Sequence, residues 1–116
     1  SVCFTAPELN QAWEVDFGAA IAFRPTAYAL RDGEDALDGM LRNWVLEGTN
    51  DFRLWSSIDE HKNDLTLTNP QRSAVFHITP KTFFRSYRAF RIRQTGPNSR
   101  GAHYLNLAGL ELYGTL

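Results

Sequence analysis

The chain has 116 residues, 43% of them hydrophobic and 13% aromatic, and twelve Lys plus Arg against thirteen Asp plus Glu leave a net charge of −1. A chain this short supports one core, not two, and its charge balance argues against a general nucleic-acid binder and against a disordered acidic segment. The single cysteine, Cys3, excludes a self-contained disulfide framework, and no apolar run approaches the ~20 residues that span a bilayer. The first residues have neither a basic start nor an apolar centre, so they do not read as a secretory signal. With no Met at its start, the sequence is expected to be one domain, residues 1–116, taken from a longer protein.

Strands are predicted almost throughout. Trp13, Val15 and Phe17 alternate with Glu14 and Asp16 before the turn at Gly18, the period of a half-buried strand. Pro25 to Leu30 follows, ending in the acidic, glycine-bearing loop that begins at Arg31 and Asp32. Leu41 to Gly48 resumes with Trp44 and Leu46 on one face and closes at Thr49-Asn50-Asp51, a turn-forming cluster. Phe52 to Ile58 is the next strand, after which the pattern disappears into a long loop from His61 to Arg72. Ser73 to Ile78, Tyr87 to Thr95 and Tyr104 to Tyr113 complete the set, with the Gly96-Pro97-Asn98-Ser99 turn before the last. Two stretches compete as helices, 35–44 and 81–90, but Gly39 interrupts the first and the second lacks a 3.6-residue stripe, so each is granted one turn at most. Seven short strands with turn chemistry between them point to an all-β, antiparallel sandwich that buries its aromatics, Trp44 and Trp55 included, between two sheets.

The near-zero net charge conceals a split. Residues 8–64 hold twelve acids and five bases, whereas residues 65–116 hold seven bases and one acid. The favoured reading places acids of the first half beside Arg-bearing strands of the second, pairing across a sheet; the alternative is a basic surface facing a ligand.

No catalytic pattern emerges. There is no Gly-x-Ser-x-Gly elbow, no His-Glu-x-x-His, no Cys-x-x-Cys and no glycine-rich phosphate loop. His77 alternates out of phase with Phe76 and Ile78 and is expected at the surface, while His61 and His103 are expected in loops, where each would either bond loop backbone or reach a ligand. Cys3 is read as a small apolar filler. Asp32, Glu34, Asp35 and Asp38 carry the oxygens a calcium ion takes, but without the ligand spacing of a dedicated calcium loop. A solvated acidic loop is the preferred reading, and no cofactor is expected.

Four phrases in order resemble a known family. Trp13-Glu-Val-Asp-Phe-Gly18, Leu46-Glu-Gly-Thr-Asn-Asp51 with Trp55, Tyr87-Arg-Ala-Phe-Arg-Ile92 and Leu110-Glu-Leu-Tyr-Gly114 resemble the landmarks of discoidin domains, also called coagulation-factor C-type or galactose-binding-like domains. The resemblance covers roughly residues 13 to 114 and implies a jelly-roll β-sandwich. Tyr28-Ala-Leu-Arg-Asp-Gly33, Leu41-Arg-Asn-Trp44, His61-Lys-Asn-Asp64 and Gln94-Thr-Gly-Pro-Asn-Ser99 with His103-Tyr-Leu105 are closer still to the intracellular branch, found in some HECT-type ubiquitin ligases and BTB-domain proteins. Cys3 has no partner near Gly114 and no Asn-x-Ser/Thr site occurs, both unlike secreted members, so a cytoplasmic or other intracellular location is expected.

Strand reversal then predicts which loops share an end of the sandwich. The loops 32–40, 61–72 and 95–103 gather at one pole, beside the segment before Trp13, and the turns 18–24, 49–54 and 79–86 at the other. The resemblance implies that ligands bind at the first pole. The candidate ligand-binding residues are Arg31, Asp32, His61, Asn63, Asn98, Arg100 and His103, donors and acceptors suited to hydroxyls, carboxylates or a peptide backbone. Against that reading, Arg31, Asn43, Asn63 and Asp64 are equally placed to staple loop backbone. The expected function is a non-catalytic binding module that recruits a protein or peptide partner. Carbohydrate is the alternative ligand, limited by Tyr104 being the one ring nearby. Membrane binding ranks below both because the 32–39 loop is acidic, and no nucleic acid is expected.

Overall fold

A computed structural model of the chain describes residues 2–5, 12–33, 39–68, 71–79, 85–103, 105 and 107–116. The described residues form eight strands: β1 (Val2–Thr5), β2 (Ala12–Asp16), β3 (Arg24–Asp32), β4 (Trp44–Thr49), β5 (Ser56–His61), β6 (Ser73–His77), β7 (Ala89–Gln94) and β8 (Leu107–Thr115). They form a five-stranded sheet in the order β1-β2-β7-β4-β5 and a three-stranded sheet in the order β6-β3-β8, every pairing antiparallel. The expected all-β antiparallel sandwich is what forms.

Period-two alternation builds the core between the sheets. Tyr28 and Leu30 of β3, Phe76 of β6 and Leu110 of β8 meet Val15 of β2, Trp44 and Leu46 of β4 and Phe90 and Ile92 of β7 in one buried cluster. Near one end, Phe17, Phe23 and Phe90 pack edge to face or tilted, with centroids 5.3 to 6.1 Å apart. Gly48 is required there: a Cβ at that position would lie 2.6 Å from the Tyr87 ring.

The charge split resolves into cross-strand pairs. Glu47 of β4 is buried on the outer face of the large sheet, accepting from Arg91 Nε at 2.8 Å and Arg93 Nε at 2.9 Å of the neighbouring β7. Arg88 grips both carboxylate oxygens of Asp16 at 3.0 Å. Early acids therefore do meet late arginines across the sheet.

Three expectations need correction. The strand expected over 52–58 starts at Ser56; residues 50–55 are a turn, with Phe52 at φ 60°. Trp55 consequently leaves the core and lies half-exposed on the outer face, under the Arg91 guanidinium at 4.0 Å. His61 is not a loop residue; it closes β5 and is half-buried. Strand β1 was not foreseen at all. The competing helix stretches fall partly outside the described residues, as do Cys3's side chain, Glu34, Asp35, Asp38 and Tyr104. Residues 39–43 and 85–90 contain no helix, and His77 is exposed as expected.

Candidate ligand-binding site

Because β2, β7, β4 and β5 alternate in direction, as do β6, β3 and β8, the connections 33–43, 62–72 and 95–106 leave from one pole and 17–23, 50–55 and 78–88 from the other. The first pole gathers three connections of eleven or twelve residues, and they are tied to each other. Asn43 is the central tie: its Nδ2 donates to the Pro97 carbonyl at 2.9 Å and its Oδ1 accepts from the Asn63 amide at 2.9 Å, joining the 95–106 and 62–72 connections. Arg42 Nη1 donates to the Leu67 carbonyl, and the Asp64 amide donates to the Arg42 carbonyl at 2.8 Å. The Met40 amide donates to Ser99 Oγ at 2.7 Å while the Ser99 amide returns to the Met40 carbonyl at 2.9 Å.

Under these loops lies a polar chain that crosses the core. Trp44 Nε1 donates to the Tyr28 hydroxyl at 3.0 Å, and that hydroxyl donates to Asp59 Oδ2 at 2.6 Å. His61 reaches the same Asp59 oxygen with Nε2 at 2.8 Å and Asp64 Oδ2 with Nδ1 at 2.8 Å. Residues 59 and 61 share a strand face, which is why their side chains meet each other as well. Burial and the Asp59 bond raise the Tyr28 phenol well above its ordinary value, so it stays a donor. Burial opposes ionisation of Asp64, but the Thr66 hydroxyl and amide, followed by His61, hold its carboxyl below the usual range.

The seven candidate residues divide by environment. Asn63, Arg100 and His103 are exposed on the tied loops. Asn98 is buried and acts as a staple, its Oδ1 accepting from the Arg100 amide at 2.9 Å and the Ala102 amide at 3.1 Å. It also lies on Gly39, where φ is 92° and a Cβ would stand 2.8 Å from its side chain. His61 has both ring nitrogens engaged by carboxylates, leaving neither to exchange a proton with a substrate. Asp32 is 3% exposed, and neither carboxylate oxygen has a hydrogen-bond partner of good geometry among the described residues. Burial pushes its carboxyl up to about 6, against the pull of the Leu41 amide, Arg42 and Arg72. Arg31 is exposed near the loop-pole end of β3, between Ser73 and Gly109 on the outer face of the small sheet. Among the described residues no cluster of three metal-ligating side chains forms.

Asn43 and Asp64, weighed beforehand as staples, are staples. Asp59, Tyr28 and Ser99 were not anticipated. For Asp59 alone the sequence held a signal, the spacing Asp59-x-His61-x-x-Asp64, which brings two carboxylates to one imidazole at a strand end.

Comparison with known proteins agrees with this architecture. No family model matches the sequence. The chain is 36% identical over 115 residues to E3 ubiquitin-protein ligase hecd-1 of Caenorhabditis elegans and 37% identical over 114 residues to E3 ubiquitin-protein ligase Ufd4 of Drosophila melanogaster. These matches cover 98% and 97% of the chain but only 4% of each ligase. A BTB/POZ domain-containing protein of Arabidopsis thaliana is 29% identical over 108 residues, 91% of the chain and 13% of that protein. Among solved structures, CpGH89CBM32-6 of Clostridium perfringens superposes with a TM-score of 0.63 at 12% identity, covering 97% of this chain and 75% of the other. The domain is a discoidin-like sandwich. The family 32 carbohydrate-binding module of Streptococcus pneumoniae EndoD shares the fold, with a TM-score of 0.61 at 9% identity and the same two coverages, 97% and 75%. The discoidin-like motifs read from the sequence, and their likeness to ubiquitin ligases and BTB-domain proteins, are borne out together.

Proposed function

We propose that this discoidin-like sandwich recruits a protein partner to a longer, intracellular chain of the ubiquitin-ligase kind, using the pole where its long loops meet. The observation that carries this reading is the stapling of those loops. Asn43, Asn98 and the Met40–Ser99 pair hold the backbone so that Asn63, Arg100 and His103 stand exposed on a fixed platform. A platform organised before contact lowers the ordering cost of binding. Similarity to two ubiquitin ligases over nearly the whole chain supports the setting, and the chain spans 4% of either, a proportion suited to an accessory module.

Carbohydrate is the second reading, supported by the fold shared with family 32 modules. Sugar rings favour an exposed aromatic platform, and the large apolar side chain exposed at this pole among the described residues is Leu65, an aliphatic one. A photoreactive residue placed at position 103 in the full-length protein tests the choice. A protein adduct from position 103 but not from exposed Glu111, on the small sheet, is the expected result. Adducts only from position 111, or signal only on a glycan array, would overturn it.

A further inference from the structure

The turn between β4 and β5, at the pole opposite the ligand loops, is built more firmly than a connection needs. Thr49 Oγ1 accepts from the Phe52 amide at 3.0 Å and donates to the Leu54 carbonyl at 2.7 Å, while Asp51 Oδ1 accepts from the amides of Arg53 at 2.8 Å and Leu54 at 2.9 Å. These bonds hold Phe52 at φ 60°, where a side chain is disfavoured and glycine is the ordinary occupant. The turn so fixed shows apolar surface to water: Phe52 is 41% and Leu54 77% exposed. The rings are braced from behind. Arg88 lies over Phe52 at 4.7 Å, Phe52 meets Trp55 edge-on at 6.0 Å, and Arg91 lies over Trp55 at 4.0 Å. A strained, fully bonded backbone that displays apolar side chains is the signature of a presented contact.

Charge indicates what it contacts. Among the described residues of the turn, Arg53 lies exposed beside Leu54, and the acids at this pole are Asp16 and Asp51. Both acids are engaged, Asp16 by Arg88 and Asp51 by the turn amides, whereas Arg53 is exposed at the tip. We propose that the 52–55 turn is a second docking site, taking an acidic linear segment of a partner protein whose apolar side chain lies on Phe52 and Leu54 and whose carboxylates meet Arg53. The aromatic–Arg ladder continues onto the outer sheet face, giving an extended segment a track to follow. Lipid fits less well, because the Phe52 ring lies under a guanidinium instead of projecting free. The site is independent of the loop pole and stands whether or not that pole binds protein.

The test is fluorescence anisotropy of a fluorescein-labelled peptide with two central leucines flanked on each side by three aspartates, titrated with the 116-residue chain. Saturable binding with a Kd on the order of 100 μM is expected, a strength typical of a small transient contact. It should weaken as salt rises from about 0.05 to 0.5 M. Leu54→Glu and Arg53→Glu, both at exposed positions, should each weaken it about tenfold or more without lowering the melting temperature. Phe52→Gly, which suits the backbone, should keep the turn and lose the peptide. His103→Ala should change nothing. No saturation by about 2 mM, equal binding by Leu54→Glu, or cosedimentation with phosphatidylserine vesicles in place of peptide binding would overturn the proposal.

Discussion

The Trp44 indole lies flat on the His61 imidazole, with ring centroids 4.4 Å apart and planes 13° from parallel. This stack carries the rigidity of the core into the loop pole, because Trp44 is fully buried while His61 reaches out to Asp64 in the loop. The Phe76 ring closes the other side, edge-on to both at 5.0 Å. A ligand surface built on such a base moves little when the loops are contacted.

Tyr28→Phe tests the polar chain beneath the stack. The substitution keeps the ring, but it leaves the buried Trp44 N–H without an acceptor and Asp59 without its hydroxyl donor. An unpaired buried donor costs about 1–3 kcal/mol. Urea denaturation should show that loss with an unchanged m-value, because the surface exposed on unfolding is the same.

Asp32→Asn should stabilise the domain at neutral pH. Burial raises the folded carboxyl to about 6 from an ordinary value of 3.8, so the folded state binds its proton more tightly than the unfolded state does. The destabilisation is therefore full above about pH 7 and is relieved as pH falls through about 6 toward about 4. A shift of this size corresponds to roughly 2–3 kcal/mol, which the neutral amide recovers. Thermal melts at pH 7 and pH 5 should show wild type gaining on Asp32→Asn as acid is added. A constant gap between the two proteins would contradict the assignment.

Glu47 has the opposite sign. Burial disfavours its ionised form, but Arg93 and Arg91 together hold its carboxyl below the ordinary value of 4.5. Its contribution is full above about pH 4.5 and is lost on further acidification. Removing the two partners should cost more than removing the acid. Arg91→Ala with Arg93→Ala leaves a carboxylate that is 9% exposed without its cations, a loss of about 3 kcal/mol or more. Glu47→Ala leaves guanidiniums that are 21% and 41% exposed and can turn to water, a loss of about 1–2 kcal/mol. Chemical denaturation of the three proteins gives the order directly.

Asn98→Ala separates the loop from the fold. Two amides, those of Arg100 and Ala102, lose their acceptor, and the staple against Gly39 is gone. Hydrogen exchange should accelerate at residues 100 and 102 while core amides of β4 and β7 keep their protection.

How much was legible in the sequence follows the range of the interactions. Strands such as β2 and β7 were readable because alternation is local, as in Phe90 and Ile92 against Arg91 and Arg93. The pole grouping was readable because antiparallel topology follows from strand order. The 52–58 strand was misplaced because Thr49 and Asp51 cap a turn through side chains, a bonding choice that Phe52's strand propensity conceals. Asp32, Asn98 and His61 were recognised as polar residues at the loop pole, but their burial depends on residues distant in the sequence, such as Arg72 near Asp32, Gly39 against Asn98 and Trp44 on His61. Tyr28, an inward strand residue by period, gave no sign that its hydroxyl would link Trp44 to Asp59.

The most direct measurement of the central claim is affinity capture with the wild-type chain and with a variant carrying Asn63→Ala, Arg100→Ala and His103→Ala, followed by mass spectrometry and titration of the identified protein. All three side chains are exposed, so the variant should melt with wild type. If the loop pole recruits a protein, that protein is recovered by wild type, and its affinity for the variant falls by about tenfold or more. Equal recovery and equal affinity with both chains would place the ligand elsewhere on the sandwich.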